Sequence, residues 1–403
     1  MRKKLVSMLL VISVGLGMFS GCSNATSKSN PNEIVIWHDK EDVVAQVLQE
    51  ELSVLEPELT IKLVRKDGLT DALKLVGNDP ASAPDMYIFA HDKIGVYAEI
   101  GILAPITDFV SEEKLGEYVP VTIEAATYND TVYQLPLYYE SLLYMYNKDL
   151  MKEEDVPKTT EDLYIYMQKY TKQGHYGFVE QHSTAYYSTP WIQGYGGQLI
   201  TEDGKPNLTS DELKAALNYH KKFVALMPGE SEYNTVNTLF LEGMADSIIG
   251  GPWLVPSARD AGIELGFAPM PTINSLKSPL TPYMGVQGVH VLKVAQENKK
   301  ESVAKVLEVL SKPEVGIKLA NASGCAPANQ KAYEDESVRN DEMVMMMKQI
   351  ADSAKSMPNR PEMDVMWTVL GNLLVSINLN NGDIDEECDK WQAKAEQLFE
   401  AMK

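Results

Sequence analysis

The chain has 403 residues, 44% of them hydrophobic, and its 57 acidic side chains against 36 basic ones give a formal net charge of −21. That length and apolar content can build more than one core, so two lobes are expected. A surface this acidic repels nucleic acid and anionic lipid headgroups, which argues against both as partners and favours a monomer.

The first residues are an address rather than a fold. Arg2, Lys3 and Lys4 precede an apolar run from Leu5 to Phe19, which gives way to Ser20, Gly21 and Cys22. The run is shorter than the roughly 20 residues of a transmembrane helix and ends in small residues, so 1–21 read as a cleaved signal peptide. Ser-Gly-Cys resembles a lipobox, which implies a lipid on the Cys22 sulfur and a mature protein anchored to the outer face of the cell membrane. An ordinary signal peptide with an incidental cysteine is the alternative. Residues 22–32 are polar and small and read as a tether.

The body opens with a short strand, Ile34 to Trp37, followed by His38-Asp39-Lys40. Val44, Val47, Leu48, Leu52 and Leu55 then recur at helical spacing until Pro57 stops them. Leu59 to Val64 predicts a second strand, Thr70 to Val76 a second helix and Met86 to Phe89 a third strand, tipped by His91-Asp92-Lys93. This alternation predicts parallel βαβ units, whose ligands bind beyond the strand C-terminal ends. Tyr128-Asn129-Asp130 reads as a hairpin turn.

Leu135 to Leu150, LPLYYESLLYMYNKDL, is the stretch around which two lobes are expected to meet. From Glu140 onward it alternates with the period of a strand, apolar on both faces, as in a sheet interior. A carboxylate there needs a partner, because unpaired buried charge is costly. Glu140 is either a strand-end group held by water or a backbone amide, or the acceptor of a cleft that Tyr138 and Tyr139 also line. Helices follow. Thr159 with Asp162, and Thr209 with Glu212, resemble capping boxes. Between them Tyr186-Tyr187-Ser188-Thr189-Pro190-Trp191 reads as a turn-rich segment whose rings face a cavity, or else as core packing.

Asn237 to Gly243 predicts a short helix and Ala245 to Ile249 a strand, broken by Gly250-Gly251-Pro252-Trp253. That loop projects one large ring, a ligand platform or a plug in its lobe. Gly285 to Leu292 predicts a strand making the second crossing between lobes. Ser302 to Val315, Glu342 to Ala354, Trp367 to Ile377 and Glu386 to Met402 are helical. The methionines of 343–347 read as adaptable packing, with no Cys or His beside them to form a metal site. Cys325 and Cys388 are expected to be free and structural. Trp367 fits core or ligand contact. The six histidines are scattered, and no HExxH, G-x-S-x-G or P-loop spacing occurs, so neither catalysis nor a cofactor is expected.

IVIWHDK, PDMYIFAHDKIGVYAEIGILAPI, YQLPLYYESLLYMYNKDL, PKTTEDL, LFLEGMADSIIGGPW and MPNRPEMDVMW together carry a resemblance to the extracellular solute-binding proteins of carbohydrate ABC importers, among them the maltose- and maltodextrin-binding proteins. The resemblance implies an α/β, two-lobed periplasmic-binding-protein-like fold, each lobe a mostly parallel sheet flanked by helices. It places 33–137 with 288–340 in an N-terminal lobe and 138–287 with 341–403 in a C-terminal lobe, joined by hinge crossings. It implies that Asp39, Lys40, Asp92, Lys93 and Glu140 hydrogen-bond sugar hydroxyls, that Phe89 stands in place of a ligand-site aromatic that is tryptophan in the best-known member, and that Tyr186, Tyr187, Trp253 and Trp367 pack on pyranose faces. The family's glutamate before the tyrosine pair falls on Thr184, its arginine after the last tryptophan on Gly371, and Lys93 stands where arginine is common. Maltooligosaccharides would be the ligand, and a permease pair with its ATPase subunits the partners. A different oligosaccharide, β-linked or mannosyl, is the alternative, and a glycoside-active enzyme a more distant one.

Overall fold

The computed structural model describes residues 30–352 and 354–402, so the predicted signal peptide, Cys22 and most of the tether lie outside the described residues. β1 (Glu33–His38) pairs in parallel with β2 (Thr60–Arg65), and on its other side with β3 (Met86–Ala90). α1 (Asp42–Leu52) buries Val44, Leu48 and Leu52 at the predicted spacing, and α2 (Leu69–Val76) buries Leu69 and Leu73. Asn129 and Asp130 hold φ of 46° and 61° between the paired dipeptides 127–128 and 131–132, the left-handed conformation that the predicted hairpin turn needs.

The stretch from Leu135 is two strands rather than one. β4 (Leu135–Ser141) and β5 (Leu143–Asn147) belong to different sheets, and the chain passes between them at Leu142. Later come β6 (Ser247–Gly250), β7 (Leu265–Ala268), β8 (Tyr283–Leu292) and the two-residue β9 (Ala326–Pro327). The larger, eight-stranded sheet runs β9-β4-β8-β3-β1-β2 along its main path, and the smaller runs β7-β5-β6.

The smaller ladder is antiparallel in both its pairings, which departs from the parallel sheet expected of each lobe. The reason is the crossing. β6 and β7 run parallel to one another, as a βαβ unit requires, but β5 enters from the larger sheet and inserts between them in the opposite sense. β8 does the same in the larger sheet, lying antiparallel to both β3 and β4. All ten residues of β8 are buried, and it stays within the larger sheet; the chain arrives from the smaller one just before Tyr283.

Among the helices, α3 (Thr160–Tyr170) starts in the predicted capping box, Thr159 accepting from the Asp162 amide and Asp162 from the Thr159 amide, each at 3.1 Å. The segment expected to be turn-rich is a helix, α4 (Ala185–Gly194), with Pro190 inside it. Proline withholds the amide that would bond the Tyr186 carbonyl, and the Thr189 hydroxyl donates to that carbonyl instead at 2.7 Å. α5 (Asp211–Val224) is capped by Ser210, not Thr209; its Oγ accepts from the Leu213 amide. The short α6 (Val255–Asp260) follows β6, and α7 (Pro313–Ser323) starts with Pro313 at its first position. Met343 and Met347 are core residues of α8 (Glu342–Ala351). α9 (Met363–Leu374) and α10 (Ile384–Met402) pack with α4 and α5 in a separate apolar cluster. Cys325 and Cys388 are free and buried, as expected. Among the described residues no helix is long and apolar enough to cross a membrane.

Candidate functional site

The C-terminal ends of β1 and β3 carry the two polar pairs, and β4 carries Glu140 alongside them. Lys40 is buried; its Nζ lies 2.8 Å from Asp39 Oδ1 and 5.5 Å from the centroid of the half-buried Phe89 ring. It also donates to Gln287 Oε1 at 2.7 Å, and Gln287 Nε2 donates to Glu140 Oε1 at 2.9 Å. The half-buried carboxylate therefore has the partner that its position demands.

Burial pushes the Glu140 carboxyl above the usual range, while the Gln287 bond and the Lys40 charge pull it back and the Glu41 and Asp39 charges add to the rise. Folding thus favours the protonated acid. Its contribution to stability is full below the ordinary glutamate pKa of about 4.3 and is lost as pH rises through the raised value. Glu140→Gln has no such dependence, so it should be at least as stable as the parent near pH 7 and lose that advantage on acidification. Thermal melts of both proteins between about pH 4 and pH 8 check this. A variant clearly less stable at neutral pH would mean that the carboxylate is net stabilising.

Trp253 faces this group from the smaller sheet. β6 ends at Gly250, and a single turn over Pro252–Leu254 leads into α6. The indole folds over Gly251, where an added Cβ would come within 2.2 Å of the six-membered ring, so only glycine fits. Glu41, Val43, Tyr138, Glu140, Trp253 and Cys325 are among the residues that line a cavity of about 360 Å³, within the span of small-ligand sites. A second recess of about 300 Å³ opens on Asp39 and Phe89 and runs to Arg65, Lys66 and Thr70.

The other polar pair joins a cluster of rings. Lys93 pairs with Asp92 at 3.3 Å and with Asp364, which stands one turn before Trp367 on α9. Trp367 meets Tyr186 and Tyr283 edge-on, centroids 6.3 and 6.0 Å away, and Tyr186 meets Tyr187 edge-on at 5.7 Å. Burial raises the Tyr187 hydroxyl to about 12, against hydrogen bonds from Gln181 and Trp253. Burial also raises Tyr186, which feels the Glu140 charge as well. The two groups are linked: Tyr186 feels the Glu140 charge, and Tyr186, Tyr187 and Trp253 share one apolar cluster. Tyr187 is buried, whereas Tyr186, Trp253 and Trp367 each keep part of a ring accessible.

Beneath them His91 is a fixed strut. Its Nδ1 accepts from the Val286 amide at 3.0 Å and its Nε2 donates to the Met357 carbonyl at 2.7 Å, tying β3 to β8 and to the 355–361 segment. Burial lowers its pKa, consistent with this neutral tautomer.

The ten residues expected to contact ligand fall in two groups, built from the ends of β1 and β3, from β4 and the turn after β6, and from the helices α4 and α9. Gln287, Asp364, Glu41 and Tyr283 belong there too and were not singled out by sequence. Gln287, a lone amide in an apolar strand, was the one with a legible signal. Where the resemblance lacks an arginine, at Gly371, a Cβ would meet nothing within 4 Å, so that space is open.

A profile of the bacterial extracellular solute-binding protein family matches residues 56–346. A maltotriose-binding protein of Pyrococcus abyssi is 31% identical over 372 residues, covering 89% of this chain and 81% of the relative. A galactooligosaccharide-binding protein of Bacillus subtilis is 27% identical over 423 residues, covering 100% and 98%. The crystal structure of a cyclo/maltodextrin-binding protein complexed with maltotetraose superposes with a TM-score of 0.82 at 24% identity, covering 92% of this chain and 98% of that one. It shares the two-lobed periplasmic-binding fold. With matches in sequence and in fold that both run along most of its length, the chain belongs to the bacterial extracellular solute-binding protein family.

Proposed function

We propose that this protein is a lipid-anchored, extracytoplasmic receptor that captures maltooligosaccharides between its lobes and delivers them to the permease and ATPase subunits of an ABC transporter. The observation that carries the reading is that an acceptor carboxylate, Glu140, and an indole, Trp253, line one cavity. A pyranose offers a ring of hydroxyls and an apolar face of C–H groups, and it needs both kinds of partner at once. In this reading Asp39, Lys40, Asp92, Lys93 and Glu140 take hydroxyls, and Phe89, Tyr186, Tyr187, Trp253 and Trp367 form the platforms. On the same reading the larger sheet belongs to one lobe and the smaller sheet to the other, and the chain passes between them at Leu142 and before Tyr283 rather than at 137/138 and 287/288. The anchor is Cys22, and the acidic surface keeps the protein monomeric.

Charge-assisted hydrogen bonds contribute about 1.5 to 3 kcal/mol each. A few of them with stacking, less the cost of association, bring micromolar affinity, about −8 kcal/mol, within reach.

Calorimetry against maltotriose, cellotriose, xylotriose and mannotriose tests the assignment. Maltotriose should bind and cellotriose should not; the reverse order would overturn the ligand while leaving the fold intact. The Bacillus subtilis relative supports a second reading, a galactooligosaccharide ligand, because it matches along nearly the whole of both chains. A galactosyl trisaccharide in the same panel decides between them. Recovering the oligosaccharides unshortened after long incubation is expected, and shorter products would sink the receptor reading.

A further inference from the structure

β8 is apolar along almost its whole length, and Gln287 is the amide within it at the site, only 8% exposed. A primary amide at that depth is costly unless both of its ends are bonded. Both are. The Lys40 ammonium can only donate, so the atom facing it is Oε1, which turns Nε2 toward Glu140 as donor. Chemistry fixes the amide's orientation, and the Lys40 charge polarises it into a stronger donor toward the carboxylate.

Position in the sheet gives Gln287 its reach. It stands opposite Ala90 of β3 and Tyr138 of β4, and the ladder to β4 shifts register directly after it. Such an irregularity re-aims a side chain. Gly288 makes the shift possible, since a Cβ there would come within 2.4 Å of the Leu135 carbonyl oxygen.

We propose that Gln287 is the positioning residue of the binding site, one amide that holds Lys40 and Glu140 in fixed relation so that Glu140 presents an oxygen to a sugar hydroxyl. The proposal rests on the sugar-binding reading above and deepens it. Gln287 engages Oε1 of Glu140, and Oε2 remains for the ligand. The other charged and titratable groups facing Glu140 are Asp39, Lys40 and Glu41 from the β1–α1 turn, Cys325 from beside β9, Tyr186 from α4 and Tyr138 on its own strand. None of them bridges Lys40 to Glu140.

The test compares the parent with Gln287→Leu and Gln287→Glu, using maltotriose as probe and ¹³C-labelled glutamate carboxyls as reporter. Gln287→Leu should weaken maltotriose about 10- to 100-fold, the equivalent of one charge-assisted hydrogen bond. It should also raise the titration midpoint of Glu140 in the sugar-free protein. Gln287→Glu keeps the shape and gives an opposite signature. Ionised, the introduced carboxyl repels Glu140; protonated, its carbonyl accepts from Lys40 and its hydroxyl donates to Glu140. Affinity of that variant should therefore rise as pH falls from about 8 to about 5.5, while the parent's does not.

A residue that merely fills space would not reverse a pH profile. Affinity within about twofold of the parent in Gln287→Leu, with Glu140 titrating unchanged, would overturn the proposal. So would a Gln287→Glu profile parallel to the parent's. Should Gln287→Leu fail to fold, the isosteric variant carries the test. Should the parent bind no sugar, the ligand assignment falls, and the Glu140 titration in the sugar-free proteins still decides the role of Gln287.

Discussion

Trp253→Ala should lower maltotriose affinity about 5- to 150-fold, the equivalent of removing a platform worth roughly 1 to 3 kcal/mol of aromatic burial and stacking. The geometry says where that loss arises. One side of the indole is spent on the Gly251 backbone and it packs against the cluster that holds Tyr187, while the rest lines the cavity with Glu140. A ring committed wholly to the lobe would behave differently. Truncating a buried tryptophan costs about 3 to 5 kcal/mol of stability through the cavity it leaves, and Trp253 is only half-buried, packed at the margin of its cluster. The expected result is a large fall in affinity with a modest fall in sugar-free melting temperature. A large drop in melting temperature with nearly unchanged affinity would reject the platform role.

Much of the first lobe was legible because local and global preferences agree there. β1, α1, β2, α2 and β3 follow in the predicted order, since Val44, Leu48 and Leu52 repeat with a helical period and the strands between are short apolar runs. The passage between sheets at Leu142 was not legible. Residues on either side of it are apolar on both faces, and only long-range pairing assigns Ser141 to β8 and Leu143 to β6. α4 was misread because Ser188, Thr189 and Pro190 look like turn chemistry, and the Thr189 hydroxyl that replaces the missing amide is invisible without coordinates. Asp39, Lys40, Asp92 and Lys93 were legible as candidates because they follow strands. Gln287 and Asp364 act through partners 247 and 271 residues away in sequence, a relation that no local pattern encodes.

Glu180→Leu should destabilise the fold by about 3 to 5 kcal/mol, the cost of breaking a buried polar pair by removing one partner. Glu180 is fully buried, and both its oxygens accept from Trp191 Nε1, at 3.0 and 3.1 Å. His220 Nε2 also bonds Oε1, and its ring stacks on the Trp191 indole with centroids 4.7 Å apart. One carboxylate thus clamps α4, through Trp191, to α5, through His220. Leucine satisfies neither donor, and two buried N–H groups lose their acceptor. Adding His220→Phe should recover part of the loss, because an imidazole with no acceptor costs more than a phenyl ring in the same place. Urea unfolding of the two single variants and the double variant measures that coupling. Because α4 also carries Tyr186 and Tyr187, loosening the clamp should let the tyrosine platform move, and maltotriose affinity should fall in Glu180→Leu although Glu180 itself is sealed from the cavity. An affinity equal to the parent's, in a variant that is several kcal/mol less stable, would show that the platform keeps its place without the clamp.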